Sequence, residues 1–123
     1  TASLVLRRVM LDTTRVDVDA INGAICVYLM MGIGWAEAYT LLSHFEPGSF
    51  SFNGELLSNR LHALEHFASF SFITLTTVGY GKVIPLTPRD EAQAVAEAVT
   101  GQLYLAVLLA RLVAMESAGR RAS

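Results

Sequence analysis

The spacing of charged residues constrains this chain more than any other feature of it. No charged residue occurs from Ala20 to Ala36, and after the single Glu37 the apolar character resumes through Phe45. The stretch from Asp19 to Phe45 is therefore long enough to cross a bilayer, which takes about 20 helical residues. Asp19 suits an N-cap, and Pro47-Gly48 suits a stop. A second long segment runs from Asp90 to Met115, and past its opening acidic pair it holds only Glu97 and Arg111. Pro85 and Pro88 precede it, and the pair Asp90-Glu91 suits the positive end of a helix dipole. Small residues four apart recur in both segments, at Gly32/Ala36, Gly34/Ala38, Ala94/Ala98, Ala106/Ala110 and Ala110/Ala114. Such pairs let helix backbones approach closely in lipid. Between the two lies a third uncharged run, Phe67 to Gly81, which ends in Gly-Tyr-Gly. Phe67, Phe70 and Ile73/Thr74 fall at helical spacing, which predicts a helix over 61–75 with Asn59 as a cap. At 1.5 Å per residue it would be about 22 Å long, too short to span. A re-entrant segment, dipping in and returning, fits that length.

Composition agrees. Of 123 residues, 16% are charged and 53% hydrophobic, against about 25% charged in ordinary soluble domains. Part of the apolar surface must face something other than water, although a soluble all-helical domain with two apolar helices is the rival on hydropathy alone. The length allows one domain. The net charge of −2 argues against a nucleic-acid partner. A single cysteine, Cys26, excludes an intrachain disulfide, and its apolar neighbours predict a buried, inert thiol. The chain begins at Thr1 rather than Met, as a fragment would, and Leu4 to Leu6 is too short for the core of a signal peptide. Regulatory segments outside this sequence are expected among its partners.

Arginines set the expected sidedness. Arg7, Arg8 and Arg15 flank the first span, and Arg111, Arg120 and Arg121 flank the second. Both termini then lie in the cytoplasm, by the positive-inside tendency. The loop between, with Arg60, Lys82 and Arg89, faces outside. Residues 1–18 read as a cytoplasmic or interfacial segment, amphipathic on the membrane face, or as the tail of an upstream element. Residues 116–123 read as a cytoplasmic tail.

The chemistry sits in Thr76-Thr77-Val78-Gly79-Tyr80-Gly81. A potassium ion entering a narrow pore must shed water, and backbone carbonyls can replace that water if several in succession point to one side. Alternate residues then need left-handed dihedrals, which Gly79 and Gly81 adopt without steric cost. Thr77 adds a hydroxyl at the inner end. Val78 and Tyr80 point away from the axis and are expected to pack on the re-entrant helix. One chain supplies one wall, so a ring takes four copies, and potassium channels are the known example of this device.

Leu75-Thr76-Thr77-Val78-Gly79-Tyr80-Gly81 resembles the signature of the potassium channel superfamily. The order helix, re-entrant helix, filter, helix resembles its prokaryotic two-span pore module, over roughly Asp19 to Met115. The resemblance implies an all-α membrane protein: two transmembrane helices, a re-entrant pore helix and a selectivity-filter loop in a tetrameric pore. The pore domain would be 19–115, with outer helix 19–45, pore helix 61–75, filter 77–81 and inner helix 90–115. It implies potassium ions bound at Thr77, Val78, Gly79 and Tyr80, with Gly81 closing the filter, and no organic cofactor. Gly101 stands where the family's inner helix carries its gating hinge; close helix packing is the other reading. Gln102, Leu105 and Leu109 would face the cavity or gate. The chain departs from the pattern at Lys82, where many members have Asp. Four lysines would ring the outer mouth, unless each turns out into solvent. Ile73 stands where some members have a Glu, and Ser69 and Phe70 replace a frequent tryptophan pair.

Glu37 and Glu97 are ionisable groups at membrane depth, where such groups are often functional. Glu97 is expected behind the filter, bonding Ser71 or Thr74 in support of it, or else as a purely structural carboxyl. Glu37 is expected to reach the interface. His62 and His66 stand four apart, a spacing that can hold zinc on one helix face, with Glu65 beside them and His44 in the outer loop. Trp35, Tyr28 and Tyr39 suit interface anchors or helix packing. No arginine-every-third-residue segment marks a voltage sensor, and no Gly-rich nucleotide fold or enzyme site is evident. The expected protein is a homotetrameric, potassium-selective channel in the cell (plasma or inner) membrane, its lipid bilayer a partner. A weakly selective cation channel of the same fold, or a non-conducting structural subunit, is the alternative.

Overall fold

A computed structural model describes residues 3–4, 18–56 and 60–122. The expectations for residues 5–17, and for Asn59 as a cap, lie outside the described residues.

Helix α1, Val18–Phe45, holds 28 residues, about 42 Å at 1.5 Å each. It already includes Asp19 in its first turn, so Asp19 lies inside the helix and is not its cap. Its buried face is Gly32, Ala36 and Tyr39, spaced as one stripe of a 3.6-residue repeat. Cys26, six residues before Gly32, falls off that stripe and is exposed. The expectation of a buried thiol is therefore corrected. The helix stops at Pro47-Gly48, where Gly48 turns with φ 91°.

A small antiparallel sheet follows, which the all-helical expectation did not contain. Strands β1 (Phe50–Phe52) and β2 (Glu55–Leu56) form a hairpin. Asn53 and Gly54 at its tip have φ 51° and 88°, the positive pair that a type I′ turn requires. Helix α2, Arg60–Leu75, comes next, and then β3, Val83–Pro85, which pairs with β1 through Phe50↔Pro85 and Phe52↔Val83. The sheet order is β2-β1-β3. It sits between the end of α1 and the start of the last helix, and it fixes where the chain emerges after Gly81.

Helix α3 runs Pro88–Ala122, 35 residues or about 52 Å. It starts before the expected Asp90 because Thr87 caps it. The Asp90 amide donates to Thr87 Oγ1 at 3.3 Å, and the Thr87 hydroxyl donates back to the Asp90 carboxylate. Pro88 then fills the first helical position, where a missing N–H costs nothing. It also runs past the expected end at Met115, through what was read as a tail. There Arg120 donates to Glu116 one turn earlier, at 2.8 Å.

Both α1 and α3 are long and apolar enough to cross a membrane. Their outer faces carry exposed Ile25, Val27, Met30 and Ile33 on one, and Val99, Leu103, Val107 and Val113 on the other. The buried core is small and aromatic. Tyr39, Phe50 and Phe67 meet at the junction of α1, β1 and α2, with Phe50–Phe67 centroids 4.9 Å apart and Tyr39–Phe67 6.1 Å. Phe70 closes on Tyr39 at 5.1 Å.

Candidate functional site

The segment from Thr76 to Gly81 begins as the end of α2. The last four carbonyls of a helix have no partner within it, and here each finds one. The Phe72 carbonyl accepts from the Thr76 amide at 3.0 Å and from the Thr76 hydroxyl at 2.6 Å. The Ile73 carbonyl accepts from the Val78 amide at 2.9 Å, and Thr74 from the Thr77 amide at 3.0 Å. Leu75 accepts from the Tyr28 hydroxyl of α1 at 3.3 Å. The bonds 78→73 and 77→74 are the six-to-one and five-to-two pair of a Schellman motif. Its left-handed position is Thr77, with φ 60°.

That residue is usually glycine, since a β-branched side chain resists positive φ. Gly79 and Gly81 follow with φ 61° and 74°. Among the described residues the only other non-glycine with positive φ is Asn53, so Val78 and Tyr80 keep ordinary negative values. Residues 77 to 81 thus alternate left and right. An alternation of this kind is what the sequence reading requires for successive carbonyls to point to one side. The sequence anticipated it at the two glycines and missed Thr77, whose conformation is set by the helix end before it.

Thr76 through Lys82 are exposed. Tyr80 is 73% exposed and Val78 53%, so the chain by itself leaves much of both uncovered. α2 turns its buried face, Phe67, Ser71 and Leu75, towards α1 and α3. Beyond the segment, the Lys82 carbonyl accepts from the Asn53 amide at 2.8 Å, tying the end after Gly81 to the hairpin. The exposed Lys82 side chain lines a groove of about 150 Å³ with Phe52, His66, Phe70, Ile73 and Val83. Ser69 also opens onto it.

Behind α2 stands Glu97 of α3, wholly buried. Ser71 Oγ lies against its Oε1, and Tyr39 of α1 donates to its Oε2 at 2.6 Å. Ser71 also reaches the Gly32 carbonyl at 2.7 Å. Of the two expected partners Ser71 is there; Thr74 makes no bond to Glu97 and lines the groove. Tyr39, expected as an interface anchor or a helix-packing group, is buried in the packing and is a partner of Glu97. The signal was its place three residues after Ala36 and seven after Gly32, on the small-residue stripe.

Gly101 is a point of contact. A Cβ there would lie 2.8 Å from the Leu75 carbonyl oxygen and 2.7 Å from Leu75 Cδ1. α3 continues as helix through it. Gln102, Leu105 and Leu109 lie along one exposed stripe beside it. Tyr104 donates to the Ala24 carbonyl at 2.6 Å, its ring stacked on Tyr28 at 5.9 Å. Glu37 and His44 are exposed. His62 and His66 have centroids 6.5 Å apart, and His66 stacks on Phe52 at 4.0 Å. Among the described residues no three His, Cys, Asp or Glu side chains gather to hold a metal.

Residues 27–117, well over half of the chain, match the model of a family described as ion channel. Searches of curated proteins and of solved structures returned no match.

Proposed function

The chain belongs to this ion-channel family, and from that premise we propose that it forms a potassium-selective pore from four copies. α1 and α3 span the membrane, α2 enters and returns, and residues 77–81 of each copy line the narrowest part. Potassium exchanges its water for the carbonyl oxygens of Thr77, Val78, Gly79 and Tyr80 and for the Thr77 hydroxyl. The observation that carries this reading is the left-handed set at Thr77, Gly79 and Gly81, since no ordinary strand turns its carbonyls to one side. α2 ends at Leu75, two residues before Thr77, so the negative end of its dipole lies beside the innermost ion.

The exposed Tyr80 and Val78 rings and methyls support a multi-copy pore. Irregular backbone at membrane depth is tolerated where protein buries it on one side and it lines water on the other. The neighbouring copies supply that burial. The function is passive conduction and involves no catalysis. Both termini face the cytoplasm of the cell whose plasma or inner membrane holds it.

The test is reconstitution in liposomes with measurement of reversal potential under mixed potassium and sodium gradients. A potential that follows the potassium gradient is the expected result. One that follows both ions equally makes it a weakly selective cation pore, and no flux makes it a structural subunit; either result refutes the proposal.

A further inference from the structure

The side chains behind α2 leave one proton to be assigned. Ser71 Oγ lies 2.7 Å from the Gly32 carbonyl of α1 and also against Glu97 Oε1 of α3. An ionised carboxylate and a carbonyl are both acceptors, and a serine hydroxyl has a single proton to give. Tyr39 gives its own proton to Glu97 Oε2. Glu97, Ser71 and Tyr39 are each 0% exposed, so the count must close among these groups. It closes if Oε1 carries a proton. Glu97 then donates to Ser71, Ser71 donates to Gly32, and Tyr39 donates to Glu97.

We propose that Glu97 is a positioning residue for the filter, a neutral side chain that donates to Ser71 while accepting from Tyr39 and so locks the filter-bearing helix between both membrane helices. It touches no ion. This rests on the reading of residues 77–81 as an ion filter. Ser71 stands six residues before Thr77, and four residues on from it Leu75 abuts Gly101 of α3 and takes a bond from Tyr28 of α1. Because Thr77 is bonded back to Thr74 and Val78 to Ile73, a turn of α2 that broke either Ser71 contact would displace the inner filter oxygens with it.

The test compares the full chain with its E97Q, E97D and Y39F variants. Glutamine offers a donor and an acceptor in the same places, so E97Q is expected to assemble and to pass potassium as the unaltered chain does. Aspartate is one methylene shorter and reaches only one partner, so E97D is expected to give roughly tenfold lower flux, as a buried group left unsatisfied implies. Y39F removes one donor and falls between them. The infrared difference between the unaltered chain and E97Q is expected to show the carbonyl band of a protonated acid, shifted in heavy water. Carboxylate bands alone, or an E97D that matches the unaltered chain while E97Q fails to assemble, would overturn the proposal. The infrared readout needs no conduction, so an unaltered chain that passed no potassium would sink the filter reading and leave this result standing.

Discussion

The two sides of α2 differ in how complete they are. Towards α1 and α3, Phe67, Ser71 and Leu75 are 0% exposed, and Gly32 and Gly101 admit nothing larger than hydrogen against Phe72 and Leu75. Towards the other side, the whole run Thr76 to Lys82 is exposed, with Tyr80 at 73%. One chain therefore finishes the support and leaves residues 76–82 exposed. Its backbone is nevertheless already set, since the left-handed residues alternate and every carbonyl of the last turn of α2 is bonded. Conformation is local here, and burial is left to the four-copy assembly proposed above. Substitutions on the two sides should accordingly separate conduction from stability.

The strongest separation is expected at Gly79. An alanine there would have to hold φ near 61°, at a cost of about 1–2 kcal/mol. That amount is too small to unfold the support, which lies elsewhere. Gly79→Ala should keep the assembled protein and abolish potassium-selective flux in liposomes. Retained selectivity would break the link between this dihedral and the ion path.

Much of the support was readable in the charge-free runs, because a spanning helix cannot hide its length. Expected and observed starts differ by one or two residues at Val18, Arg60 and Pro88. The sheet was not read, since strands of two or three residues show no periodicity; the turn pair Asn53-Gly54 was its one local sign. The extension of α3 to Ala122 was missed because an apolar run ends where charges begin, whereas a helix need not. The sequence expects Glu97 behind the filter, one helical turn before Gly101, with Ser71 as a partner. Its second partner lies 58 residues away in the chain, a pairing that spacing within one helix cannot reveal. Thr77 was read for its hydroxyl, and its backbone was decided by the Schellman end of α2.

A smaller effect, confined to the support, is expected at the glycines. Gly101→Ala places a Cβ 2.8 Å from a backbone oxygen of Leu75, and overpacking of this kind costs about 1–3 kcal/mol. Gly34 has nothing within 4 Å of the same position, so Gly34→Ala should stabilise α1 by about 0.5–1 kcal/mol. Thermal unfolding in one detergent compares the two. If Gly101 served as a free hinge and made no contact, Gly101→Ala would unfold no earlier than the unaltered protein and would change only the fraction of time the pore is open.

The mildest expected change lies at the outer rim, where Lys82 is held by its backbone to the hairpin and its side chain is exposed. Its charge acts through water, so each close approach of an ion is opposed by about 1 kcal/mol or less. Four copies around one axis would lower the local potassium concentration, and Lys82→Asp should raise single-channel conductance by about two- to fivefold at low salt. The Debye length falls from about 10 Å at 0.1 M to about 3 Å at 1 M, so the gain should largely vanish in concentrated potassium. Equal conductance of the two proteins at low salt would mean that the amines point away from the mouth. The same substitution should leave unfolding in detergent unchanged, because Lys82 contributes to the fold through its carbonyl bond with Asn53 and any residue supplies that carbonyl.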